Sequence, residues 1–149
     1  MLGLKGNCAN IMSNSDKFTR NARSKETGAQ FTLQHAFSCA WAGIVHVVAS
    51  ERNMKIHLIV AAIALLLSYL LKLSLVEFCI VVICIVLVVA LECVNTALEC
   101  VVDLVSPEWH LLAKRAKDAA AGAVYIAAIG AFIVGLCLFV PPILALIAQ

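Results

Sequence analysis

The sequence predicts an all-α integral-membrane protein, one amphipathic helix followed by three membrane-spanning helices, and three observations carry that prediction. The 149 residues are 63% hydrophobic and only 13% charged, with a mean hydropathy of +1.00. Soluble domains sit near about 45–50% apolar and about 25% charged residues. Three apolar stretches, at about 57–75, 76–105 and 119–148, each approach or exceed the roughly 20 residues that one bilayer crossing needs. Ahead of them, Phe37, Ala40, Trp41, Ile44, Val45 and Val48 recur with helical spacing while His35, Ser38, Ala42, His46 and Ala49 take the other side, the pattern of a helix lying in a membrane interface.

In chain order, residues 1–28 are rich in Asn, Ser, Gly and Lys and hold no sustained apolar run. They read as a disordered tail, and no cleavable signal peptide is expected there. The integral-membrane domain is expected over 29–149, with the surface helix at about 31–50. "SERNMKIHL" then turns the chain into the membrane. Arg52 and Lys55 suit snorkelling anchors, but Glu51 gains nothing from an anionic lipid surface. "LKLSLVE" is long enough only for a tight reversal, which makes the first two spans antiparallel neighbours. The second span ends at "SPE", because the residue before Pro107 is disfavoured in helical geometry. The basic segment through Lys117 is expected as a loop before the third span. That span carries Gly122, Gly130 and Gly135, a composition that lets helices approach closely, and Pro141 and Pro142 are expected to break or kink its outer end.

Seven cysteines are present, yet none forms a C-x-x-C pair. Five fall in apolar helices, where Cys acts as a small apolar residue. Lysines and arginines cluster before the first span and between the second and third. By the positive-inside rule the N-terminus and that second connection face the cytoplasm and the C-terminus faces out.

The segment "ALECVNTALECVVDLVSPEWHLLAKRAKD" (90–118) places acids where they are costly. A carboxylate near the bilayer centre costs roughly 3 kcal/mol on insertion scales. On a helix, Glu92, Asn95, Thr96, Glu99 and Asp103 fall within an arc of about 100° over about 16 Å of rise. Such a stripe must face other helices or a wet cleft. Mutual repulsion of the acids is economically relieved by a divalent metal, and Mg²⁺ takes one or two carboxylates and completes its shell with water and phosphates. Lys114, Arg115 and Lys117 follow, which with a metal makes the equipment of phosphoryl transfer. A polar interface between subunits and a proton or ion path are the alternative readings. The absence of any charged residue after Asp118 argues against a continuous relay. No G-x-x-x-x-G-K-[ST] or G-x-G-x-x-G is present, so a bound nucleotide would be held by metal and side chains.

"ECVNTALECVVDLVSPEWHLLAKRAKDAAAGAV" resembles the signature of the small prokaryotic lipid kinases, the diacylglycerol kinase and undecaprenol kinase family. The pattern is roughly E-x-x-N-[ST]-A-[IL]-E-x-x-V-D, then S or P-E-[YFW]-H, then A-K-D, and it is matched without gaps. The resemblance extends over about 37–140. It implies ATP-dependent phosphorylation of a membrane lipid alcohol, Mg²⁺ as cofactor, a phospholipid bilayer as surroundings, a homotrimer and no nucleic-acid partner. By position it makes Glu92 the general base toward the lipid hydroxyl, with Asn95 beside it, and makes Glu51 and Glu99 the metal carboxylates. It puts Asp103, Glu108, Trp109, His110, Lys117 and Asp118 together with those two carboxylates around ATP. Trp41, Glu92 and Ala121 fall on the side of the lipid substrate. Cys39 stands where the diacylglycerol enzymes have a nucleotide-contacting tyrosine, Ala121 where they have a serine, and His57 where they have an acid. These departures resemble the Gram-positive undecaprenol kinase branch and bear on which alcohol is used.

Overall fold

The computed structural model describes residues 33–148. The expected tail over 1–28, together with the first two residues of the expected surface helix, lies outside them. Four helices follow in order: α1 (Leu33–Ser50), α2 (Arg52–Leu70), α3 (Leu75–Val105) and α4 (Leu111–Ile147). By length and composition α2, α3 and α4 can each cross a membrane.

Helix α1 belongs mostly to a compact unit separate from the one that begins at Ser50. On it Leu33, Phe37, Trp41 and Ile44 are exposed at one-turn intervals and only Val47 is buried.

In the second unit α3 is the central helix, packed on both α2 and α4, while α2 and α4 barely meet. The packing follows a seven-residue period. On α2 the buried residues are Met54, Ala61 and Ser68, and on α3 they include Val81, Val88 and Asn95. A repeat of seven keeps one seam of each helix facing its neighbour, as in coiled coils. Ser68 is tolerated in that seam because its hydroxyl donates to the Ala64 carbonyl at 2.7 Å. Asn95 and, one turn before it, Glu92 occupy the same buried side of α3 as the two valines. A polar group at a core position is a conflict between local and global preference, which marks function more often than fold.

The reversal between α2 and α3 is built by two standard end structures. Helix α2 closes with Lys72 N–H donating to the Tyr69 carbonyl and Leu73 N–H to the Ser68 carbonyl, a Schellman arrangement whose left-handed residue is Lys72 at φ 53°. Helix α3 opens with a capping box: Ser74 Oγ accepts from Glu77 N–H at 3.4 Å, and the Glu77 carboxylate accepts from Ser74 N–H at 2.7 Å. Replacing Ser74 by Ala removes the acceptor for one helix N–H group. It is expected to lower unfolding stability in detergent by about 1 kcal/mol, measurable as a lower thermal midpoint with the oligomeric state unchanged.

One expectation about the third span is corrected and a second is narrowed. The segment through Lys117 is helix, not loop: α4 begins at Leu111, where His110 Nδ1 accepts from Leu112 N–H at 3.2 Å and caps it. Leu, Ala, Lys and Arg are strong helix formers, and hydropathy alone had masked that. Pro141 and Pro142 do not break the helix, which runs through them to Ile147. Prolines are accommodated in apolar helices when neighbouring groups or small local adjustments satisfy the freed carbonyls. The glycines also play less of a packing role within one chain than their number suggests, since a Cβ added at Gly122 or Gly130 would meet nothing within 4 Å. Finally, α2 ends at Leu70, five residues short of the expected span end, because the Schellman turn closes it there.

Candidate active site

Glu92 lies at the centre of a cleft of about 400 Å³ lined by Asn53 and His57 of α2, Glu92 and Asn95 of α3, and Ala121, Gly122, Val124, Tyr125 and Ala128 of α4. The seam on α3 turns Glu92, Asn95 and Thr96 inward, and all three are buried, Glu92 to 2% exposure. Thr96 Oγ1 spends its proton on the Glu92 backbone carbonyl at 3.1 Å. The Glu92 carboxylate has no hydrogen bond or ion pair among the described residues. An anion on so buried a residue without a partner is costly. It is the arrangement expected of a group that waits for a proton from something that enters the cleft.

One turn along, Asn95 Nδ2 donates to Glu99 Oε1 at 3.1 Å, while Asn95 Oδ1 is buried without a hydrogen-bond partner. Asn95 therefore holds the half-buried acid and keeps an oxygen in reserve. Glu51, at the N-cap of α2, makes no capping hydrogen bond and accepts from Ser50 Oγ at 3.2 Å. His57 lines the same cleft as Glu92, and the carboxylates of Glu51 and Glu99 act on Glu92 electrostatically.

Burial falls off along the stripe. Glu99 is half-buried, and Asp103 is exposed and paired with Lys117, whose Nζ lies 2.5 Å from Asp103 Oδ1. Asp118 pairs locally with Lys114. Glu108, Trp109 and His110 form the exposed connector between α3 and α4, where Ser106 Oγ donates to the Glu108 carbonyl at 3.0 Å. None of the three lines the Glu92 cleft. Ala121 does line it, whereas Trp41 sits on the exposed face of α1. Among the described residues no three His, Cys, Asp or Glu side chains converge as a ready metal cluster.

Asn53, His57, Gly122 and Tyr125 line the cleft and were not assigned to it from sequence. A signal was present: Asn53 and His57 are one turn apart, and Ala121, Gly122, Tyr125 and Ala128 share one face of a helix. Beside the cleft, and sharing His57 and Ala128 with it, runs a groove of about 590 Å³ between α2, α3 and α4. Apart from His57 and Cys84 its lining is aliphatic or aromatic side chains and one glycine.

The profile of the family described as prokaryotic diacylglycerol kinase matches residues 38–139. The chain is 46% identical over 112 residues to a diacylglycerol kinase of Synechocystis sp., a match covering 74% of this chain and 64% of that protein. It is 42% identical over 106 residues to an undecaprenol kinase of Bacillus subtilis, covering 71% and 86%. A diacylglycerol kinase of Haemophilus influenzae is 33% identical over 85 residues, covering 57% of this chain and 72% of its own length. The matched span holds every residue that lines the Glu92 cleft as well as the Asp103–Lys117 pair, and on that footing the chain belongs to the prokaryotic diacylglycerol kinase family.

Proposed function

We propose that this protein transfers the γ-phosphoryl group of ATP to the hydroxyl of a membrane lipid alcohol, undecaprenol or diacylglycerol. The observation that carries the reading is the buried, unpartnered Glu92 carboxylate in a cleft that shares His57 and Ala128 with the apolar groove beside it. A lipid alcohol matches both parts: its hydroxyl belongs beside Glu92 and its tail in the groove, with His57 and Ala128 at the junction. Glu92 accepts the hydroxyl proton as the oxygen bonds to the γ-phosphorus and ADP leaves with the electrons of the broken bond. Asn95 holds Glu99 in place, and Ala121 and Trp41 are assigned to the lipid substrate.

Glu51 and Glu99 are the carboxylates that would hold Mg²⁺. The donors suit a hard cation, being all oxygen, and two carboxylates without a third match an ion that takes its other ligands from water and phosphates. The unpartnered Asn95 oxygen adds an acceptor beside them. When bound, the metal supplies neutralisation of the phosphate charge. Lys117, paired with Asp103, contributes the same from the protein side, and Glu108, Trp109, His110 and Asp118 surround the nucleotide.

The ATP-bearing end is cytoplasmic, in the inner membrane, and the site is completed in a homotrimer. The broad apolar surface of α2, α3 and α4 is suited to meet both lipid and further copies of the chain. No nucleic acid is involved. The kinase relatives leave the ion-path reading without support.

The test offers radiolabelled ATP and Mg²⁺ to the purified protein in mixed micelles with undecaprenol and diacylglycerol side by side. Label is expected in a lipid phosphate. Label in one lipid alone identifies the alcohol, and label in neither sinks the reading.

A further inference from the structure

Asp103 and Lys117 are each placed against the helix that carries them. Asp103 lies in the last turn of α3, which has no basic residue there, and so faces the negative end of that helix dipole. Lys117 lies in the second turn of α4, whose first turn holds no acid, toward the positive end of its own. A local remedy exists for Lys114, which pairs with Asp118 one turn on. Lys117 instead reaches back across the connector to Asp103. Its charge is also felt by Glu99, one turn deeper on α3 than Asp103. The ammonium is thereby held at the outer end of the polar stripe that begins at Glu92.

We propose that Asp103 is a positioning residue acting through Lys117: in the empty site its carboxylate is the counter-ion of Lys117, and an incoming triphosphate displaces it. The inference rests on the proposed use of ATP. Exposure decides which acid gives way. The Asp103 side chain is 67% exposed and that of Lys117 35%, so a freed Asp103 is taken up by water at little cost, as exposed ion pairs are worth little. Glu99 is half-buried and held by Asn95, and it stays. The triphosphate, with several negative charges, outcompetes a single exposed carboxylate for the same ammonium. Asp103 thus keeps Lys117 in reach of the nucleotide while lowering the affinity that a bare ammonium would have for it.

The experiment uses Asp103→Asn, which keeps the shape and removes the charge, in full-length protein in micelles. Binding of Mg·ATP is expected to tighten about two- to fivefold, and KM for ATP to fall by the same factor, with any change in kcat smaller than the change in KM. In a Lys117→Ala background the substitution is expected to leave ATP affinity where Lys117→Ala alone puts it. Weaker ATP binding in Asp103→Asn would make Asp103 a direct nucleotide ligand and overturn the proposal. An equal tightening in both backgrounds would overturn it too, since the effect would then bypass Lys117. Acylation of Lys117 by an amine-directed reagent, read by peptide mass spectrometry without nucleotide, gives a readout independent of turnover. Asp103→Asn should accelerate it, and an unchanged rate refutes the counter-ion role. A wild-type protein that labels no lipid would instead refute the kinase reading, so the two failures are told apart.

Discussion

Glu92→Gln is expected to lower phosphoryl transfer to the lipid by about 10²–10⁴-fold, the range a positioned general base contributes. The amide has nearly the same shape and fills the same place in the cleft, but it cannot take a proton from a hydroxyl. Folding should not suffer. Glu92 is 2% exposed and its carboxylate lacks a partner among the described residues, so the substitution relieves a buried charge rather than breaking a contact. The thermal midpoint in detergent is therefore expected to hold or rise while activity collapses, the signature of a site that trades stability for function. A large loss of stability together with activity would show that Glu92 holds the helices together instead.

Glu99→Gln should produce the second-largest effect, a loss of about 10²–10³-fold, the scale on which removal of one electrostatic group costs catalysis. Gln retains an oxygen to accept from Asn95 Nδ2, so the 3.1 Å hydrogen bond can survive. What it loses is the negative charge that a divalent cation needs. The discriminating measurement is a Mg²⁺ titration at saturating ATP: the half-maximal concentration should rise at least about tenfold, given how strongly hard cations depend on carboxylate charge. Glu92→Gln, tested alongside, should leave that midpoint close to wild type. Equal midpoints for Glu99→Gln and wild type would remove Glu99 from the metal.

Much of the site was legible before any coordinates because the chemistry is concentrated on one helix. Glu92, Asn95 and Glu99 are within two turns, and a period of 3.6 places them together without knowledge of the rest. The lining from α2 and α4 was less visible. Asn53 and His57 stand near a helix start, where polar residues are ordinary, and the small residues of α4 carry no chemical label. The true start of α4 escaped because hydropathy finds the apolar part of a helix, not the helix. Residues 111–118 are charged, yet they are good helix formers behind a histidine cap. Likewise the depth of each acid could not be read from angle alone: Glu92 and Asp103 point along similar directions, but one is enclosed by three helices and the other stands where α3 ends.

Helix α4 carries 37 residues, about 55 Å at 1.5 Å each, against a hydrocarbon thickness of about 30 Å. Its first two turns, with Lys114, Arg115, Lys117 and Asp118, are too charged to sit in that layer, so the same rod that crosses the membrane stands out of it. Lys117 is consequently fastened to a lever whose other arm is embedded in lipid. A helix of this length meets a thinner or thicker bilayer by changing its tilt, and any such change swings the ammonium sideways over the end of α3. The exposed salt bridge to Asp103 is worth too little to resist such tilting, so it aims the ammonium at the end of α3 without fixing the lever to it.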